Sequence, residues 1–156
     1  MAILDDDMKR VVTEQRLGFV ATVNADGTPN LSPKGTMMPY GDDRIIFAEI
    51  RSPGTVAHLQ RNPAAEINFV DPMSRKGYRF RGRLRLVVPG DSEYDAFFEA
   101  LANWVAGPED VKAVVVMEVE HAQPETSPAY DRGTTEAELR KGWMARYVAM
   151  QPEEDA

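Results

Sequence analysis

The side chains this chain offers for chemistry are anion binders rather than the parts of a protein-only catalyst. It contains no cysteine, and its two histidines, His58 and His121, lie far apart in sequence. Thiol catalysis, disulfide scaffolding and thiolate-held zinc or iron–sulfur sites are therefore excluded, and a histidine-rich metal centre has little to build on. No Ser-His-Asp set, Walker loop, Rossmann fingerprint or zinc signature is present. Three other places repeat one provision, a cation beside free backbone or hydroxyl donors.

The first is Ser32-Pro33-Lys34-Gly35-Thr36. Proline cannot donate to a strand ladder and glycine weakens one, so this stretch needs either a bulge at a sheet edge or a ligand lying against the backbone at Gly35. The second is Ile50-Arg51-Ser52-Pro53-Gly54-Thr55, where a strand ends just before a helix. Free N–H groups and the positive end of the dipole make a helix start suited to phosphate, with Arg51 as a bidentate partner and Ser52 or Thr55 as a hydroxyl donor. An ordinary cap with a solvated arginine is the plainer explanation. The third is residues 75–85, which hold Arg75, Lys76, Arg79, Arg81, Arg83 and Arg85 without one acid. Arginines on a solvated strand face are common, but four like charges on one face repel. Acids of another subunit or a ligand phosphate would relieve them. Trp143 and Tyr147 could cover an aromatic ring, although aromatics at helical spacing more often pack. His58 is expected to be exposed and idle, and His121 has no evident partner.

The elements that must carry these residues can be read from periodicity. Residues 5–15 predict a helix with acids in its first turn, and residues 17–23 a strand closed by the hairpin signal Asp26-Gly27. A partner strand over 28–38 and a third over 44–50 complete a meander. Ser52 as cap and Pro53 at the first helical position open a short helix that Asn62-Pro63 stops. Residues 65–70 alternate as a fourth strand. In the fifth, Tyr78, Phe80, Gly82, Leu84 and Leu86 take one face and the arginines the other. A Ser92–Asp95 capping box leads a helical stripe from Tyr94 to Val105, and residues 112–120, around Val114-Val115-Val116, read as a sixth strand buried on both faces. Residues 123–133 read as a loop. A Thr135–Glu138 capping box then opens a C-terminal helix over 134–150. Short strands joined by local hairpins, with four helices around them, predict one mainly β domain over residues 1–156, a six-stranded antiparallel barrel.

Composition agrees with a folded soluble chain, at 43% hydrophobic and 28% charged residues,. The net charge of −7 disfavours nucleic acid,. The N-terminus lacks a signal-peptide pattern and no apolar run is long enough to span a bilayer, so a cytoplasmic protein without membrane contact is expected. An acidic chain with one basic strand suggests a specific, small anion.

Ser32-Pro33-Lys34-Gly35, then the strand Ile46-Phe47-Ala48, then Arg51-Ser52-Pro53-Gly54-Thr55 and Arg61-Asn62-Pro63, resemble in order and spacing the pyridoxamine 5′-phosphate oxidase-like family of flavin-binding split barrels. The Gly-Tyr-Arg-Phe-Arg-Gly strand adds to the likeness, which covers about residues 5–120. The resemblance implies a six-stranded split β-barrel whose homodimer holds flavin mononucleotide (FMN) in grooves between subunits, with a small-molecule substrate or electron donor. By that similarity Ser32, Pro33, Lys34 and Gly35 line the ring and ribityl chain, while Ile50, Arg51, Ser52 and Thr55 lie at the phosphate. Tyr78, Arg79 and Arg81, with Trp143 as a further candidate, lie near the same groove, supplied by either the same chain or its partner. Many members carry a lysine shortly after the serine that follows strand three; here Pro53-Gly54-Thr55 stands instead, leaving Arg51 and backbone donors. The longer C-terminal region of the vitamin B6 oxidases has no counterpart, so pyridoxamine phosphate is not the expected substrate. The resemblance leaves room for the deazaflavin coenzyme in place of FMN, or for a non-enzymatic flavin or tetrapyrrole carrier.

Overall fold

The computed structural model describes residues 3–51 and 53–152. Seven strands form one antiparallel sheet: β1 (Gly18–Val23), β2 (Pro29–Lys34), β3 (Met37–Tyr40), β4 (Arg44–Glu49), β5 (Ala64–Asp71), β6 (Lys76–Val87) and β7 (Ala113–Thr126). Their spatial order is β2-β1-β5-β6-β7-β4-β3. The two outermost strands are thus consecutive in sequence and separated only by Gly35 and Thr36. Three peptide steps reach at most about 11 Å, so the sheet must curl until its ends nearly meet, which makes a split barrel. The single strand expected over 28–38 is the strand that closes it. Broken in the middle, it pairs with β1 through β2 and with β4 through β3.

The alternation within strands sorts the core into two clusters. Ile45 and Phe47 of β4, with Val115, Met117 and Val119 of β7, point into the barrel, where they join Val20, Ile67, Phe69 and Phe80. The intervening Ile46, Ala48, Val114 and Val116 point outward and are covered by α3 (Tyr94–Ala102) through Phe97 and Leu101. The apolar run in β7 therefore serves two cores at once. α1 (Asp6–Gln15), capped by Asp5 accepting from the Met8 N–H, adds Val11 and Val12 to the barrel interior. α2 (Pro53–Arg61) adds Leu59.

Three local expectations are corrected. The last strand does not stop at Glu120 but runs to Thr126, with Pro124 opposite Tyr78. β4 pairs with β7 only as far as Glu118, so the rest of β7 is a free edge on that side, where proline is tolerated,. The Ser92–Asp95 capping box is not formed. α3 starts at Tyr94 without a side-chain cap, Glu93 being drawn to Arg85 at 2.9 Å. That helix also ends at Ala102, and Trp104 lies beyond it, its Nε1 donating to the Met37 carbonyl under the Arg16 guanidinium. The Thr135–Glu138 box does form, opening α4 (Glu136–Ala149).

β6 twists at a register shift between Arg81 and Gly82. A Cβ on Gly82 would collide with the Glu118 carbonyl and stand 3.1 Å from the Val119 Cα. Gly82→Ala is expected to cost about 2–3 kcal/mol in urea unfolding; a loss below about 0.5 kcal/mol would mean that the bulge relaxes freely. α1 is tied to the barrel by the Tyr78 hydroxyl, which donates to Asp7 at 2.6 Å. That bond, with burial, pushes the Tyr78 phenol up to about 12, and together with Arg10 it holds the Asp7 carboxyl below its usual value. The folded phenol value lies above the unfolded one of about 10, so the tie is complete below pH 10 and is lost as pH rises from about 10 to 12. Wild type should exceed Tyr78→Phe by about 1 kcal/mol at pH 8, and that gap should shrink by about pH 11. Denaturation of both proteins at the two pH values checks this, and a constant gap would show that the phenol does not titrate with folding.

Candidate functional site

The break that closes the barrel also builds a groove. Lys34, the last residue of β2, pairs with Gly18, and two residues later the Thr36 hydroxyl accepts from the Ala48 N–H at 3.2 Å. Met37 pairs with Phe47, so the same register carried back sets Gly35 across from Glu49. There β4 ends, and Ile50 and Arg51 lead into α2. Glu49, Arg51, Val56, Ala57, Gln60 and Lys112 line a groove of about 500 Å³. Lys112 is fixed in it by its N–H donating to the Glu49 carbonyl at 2.9 Å. Burial holds the Lys34 ammonium below its ordinary value, an effect that the Glu49 carboxylate, itself 6% exposed, only partly offsets.

The structure thus brings the first two sequence candidates together: Lys34 and Gly35 on one side of Glu49, Ile50 and Arg51 on the other. Gly35 and Gly54, at the two rims, are exposed and a Cβ on either would meet nothing within 4 Å. Neither takes the left-handed backbone that would demand glycine. The fold does not need glycine at these points, and both leave backbone open to an approaching molecule. Thr55 is 5% exposed, so its hydroxyl belongs to the interior. Ser52 lies outside the described residues. Glu49 and Lys112 were not singled out in the sequence. Glu49 ends an apolar strand and Lys112 precedes another, and only the β4–β7 pairing, Glu49 opposite Ala113, reveals them as neighbours.

Ser32 and Pro33 fall on opposite faces. Ser32 pairs with buried Val20 on the barrel side, whereas Pro33 pairs with exposed Phe19 outside. The barrel side of β1 and β2 also corrects the expectation for His58. It is half-buried, its Nδ1 3.1 Å from the Thr22 hydroxyl, which accepts from Asn30 at 3.1 Å.

The arginine row is placed elsewhere. Arg79 pairs with Glu66 at 3.0 Å and with Glu125, and Arg85 with Glu118 at 3.0 Å and Glu93 at 2.9 Å. Acids of the same chain relieve the repulsion at these two positions, correcting the expectation of a partner subunit or ligand there. Arg81 lines a second groove of about 330 Å³ on the outer face, beside Ala21, Pro29 and Glu66. Tyr78 is turned to α1, and Trp143 stacks on the Arg75 guanidinium at 3.4 Å. Arg79 and Arg81 sit opposite Gln123 and His121, well along β7 from Lys112, and within one protomer none of Tyr78, Arg79, Arg81 and Trp143 lines the Arg51 groove. Among the described residues no group of three or more His, Cys, Asp or Glu could hold a metal ion, and no helix is long and apolar enough to cross a membrane.

The outer face of β2, β1 and β5 exposes a cluster of large apolar side chains. Leu31 is 65% exposed, Phe19 41% and Val70 38%, with Leu17 at 50% at the start of β1. Ala21 opposite Leu31 and Phe19 opposite Pro33 join β1 to β2 in this cluster, and the β1–β5 register carried back past Gly18 sets Leu17 beside Val70.

Comparison with known proteins agrees with this architecture. Residues 4–126 match the family described as pyridoxamine 5′-phosphate oxidase. No curated protein matches the chain. Among solved structures, HupZ of Group A Streptococcus is 32% identical, with 76% of this chain and 91% of that one covered at a TM-score of 0.67. An FMN-binding protein from Syntrophomonas wolfei shares the fold at 18% identity, covering 75% of this chain and 82% of its own, with a TM-score of 0.63. So does a putative pyridoxamine 5′-phosphate oxidase from Lactobacillus delbrueckii, at 19% identity, 79% and 95% coverage and a TM-score of 0.65. With its closing strand split at Gly35-Thr36 and four fifths of its length inside the match, the chain belongs to the pyridoxamine 5′-phosphate oxidase family of split β-barrels.

Proposed function

We propose that the protein is an FMN-dependent oxidoreductase that works as a homodimer, with the cofactor's phosphate in the groove beside Arg51. The observation that carries this reading is the charge of the groove. Arg51 and Lys112 line the groove with Glu49, whose buried carboxylate also acts on Lys34, so basic side chains outnumber acidic ones along it in a chain of net charge −7. A phosphomonoester carries about −1.5 to −2 near neutral pH. Open backbone at Gly35 and Gly54 adds N–H donors without side-chain obstruction, and a guanidinium suits phosphate by its fork of donors,. The bound flavin would supply hydride transfer, for which the chain shows no side-chain machinery of its own.

FMN is favoured over the longer deazaflavin coenzyme by the fate of the arginine row. A longer anionic tail needs more uncompensated cations, and Arg79 and Arg85 already have acidic partners in the same chain. The exposed cluster of Leu17, Phe19, Leu31 and Val70 supports the homodimer, since contiguous apolar surface on a folded chain marks association,.

Titration of ligand-free protein with FMN, followed by flavin absorbance and fluorescence, tests the assignment. Arg51→Glu should weaken binding about a hundredfold with the thermal midpoint of the ligand-free protein unchanged. Gly35→Ala should fold normally, because its new methyl meets nothing, and yet bind FMN more weakly. Equal FMN affinity in wild type and Arg51→Glu would remove the phosphate assignment. Flavin that binds but accepts no electrons from reduced nicotinamides would turn the reading to a carrier.

A further inference from the structure

α4 has no buried residue along its 14 positions. What holds it to the barrel is concentrated on one turn, residues 71–76 between β5 and β6. Arg140 donates to Asp71 at 2.7 Å and to Glu136 at 2.8 Å, and Lys76 reaches Glu136 at 2.8 Å. The Trp143 ring lies on the Arg75 guanidinium at 3.4 Å. The segment leading into α4 is pinned to the same turn, with the Tyr130 hydroxyl donating to the Ser74 carbonyl at 2.6 Å and the Ser127 N–H to the Arg75 carbonyl at 3.0 Å.

The turn that α4 rests on is itself strained, Arg75 taking a left-handed backbone, φ 57°, without being glycine,, and the attachment adds a cost at that residue. Its Nε is the one buried side-chain polar atom, among the described residues, that lacks a hydrogen-bond partner, and a stranded donor opposes the state that strands it. On the favourable side stand ion pairs, of which Arg140–Asp71 is sheltered on one side, the Asp71 side chain being 10% exposed, and the others are open to water. Lys76, Glu136 and Arg140 each keep more than 40% of their side-chain surface in water, where salt screens such pairs strongly.

We infer that α4 is a releasable arm, latched to the 71–76 turn by charge and one cation–π contact, which detaches as ionic strength rises. Its release uncovers a polar cavity of about 200 Å³ roofed by Glu136 and Arg140 and floored by Asp7, Arg10, Lys76 and Tyr78. It also frees Trp143, next to the already exposed Met144 and Val148, for another surface. The capping box and helix length belong to α4 alone. A detached helix of that length is marginal in water, so release is equivalent to local unfolding. None of this depends on the flavin reading.

Hydrogen exchange by mass spectrometry on the full chain tests the latch, comparing about 20 mM with about 500 mM NaCl. α4 amides should exchange about tenfold faster at high salt, while β7 amides keep their protection. Arg140→Gln and Lys76→Gln should each show the faster α4 exchange already at low salt, and adding salt should change them little. Unchanged α4 exchange in wild type at high salt would overturn the inference by assigning the attachment to packing of Leu139, Trp143 and Tyr147. Equal acceleration of α4 and β7 would overturn it by making the helix part of the barrel's cooperative unit. The wild-type salt comparison decides the matter even if a variant folds poorly.

Discussion

One covalent constraint organises this molecule: the two edge strands of its sheet are joined by only Gly35 and Thr36. A sheet whose ends are linked so tightly has no flat solution, and the natural twist of antiparallel strands supplies the curl that closure requires. The barrel interior then follows from alternation alone, with Val20, Ile67, Phe69, Phe80, Val115 and Met117 filling it. The same link fixes the groove. Wherever the closing strand leaves one half of the sheet and enters the other, its backbone is unpaired for a moment. The neighbours of that gap, Glu49 to Arg51 and the start of α2, are set by register.

Electrostatics in the barrel divides along similar lines. An acidic chain with a run of six basic residues has two ways to satisfy them. The long β6 strand takes the internal one, setting Glu66 and Glu125 on flanking strands against Arg79, and Glu118 with Glu93 against Arg85. At the groove the balance runs the other way, with Arg51 and Lys112 beside Glu49 along its lining and Lys34 within reach of the Glu49 charge. Local charge excess, rather than the mere number of cations, separates a surface that is merely basic from one suited to an anion.

Much of the fold was legible because its signals are local. Asp26-Gly27 announced a hairpin, Tyr78 to Leu86 alternated without interruption, and the Thr135–Glu138 box marked a helix start that the structure reproduces. What escaped was set by partners remote in sequence. The extension of β7 through Pro124 depends on which side of that strand lacks a neighbour. The cap expected at Ser92 is missing because the helix starts one residue later, with Glu93 in the cap position and its carboxylate paired with Arg85 and Arg44. His58 looked idle because Thr22 and Asn30 lie on other strands. In the groove, Lys34 and Arg51 were visible as cations near chain breaks, whereas Glu49 and Lys112 carried no local mark.

The separation of the arginine row from the groove bears on how a dimer would be built. Arg79 and Arg81 stand on the outer face of the sheet, in cross-strand rows with Asn68 and Glu66 of β5, and beyond these with Phe19 and Ala21 of β1. That is the face on which Leu31 and Phe19 are exposed. A two-fold interface uses the same patch on both chains, so residues flanking the patch on one protomer come to lie beside the far flank of its partner. The closing strand borders the patch at Pro33, next to Lys34 and Gly35. On this face Arg81 and its groove stand at one flank of the apolar patch and the strand break at the other.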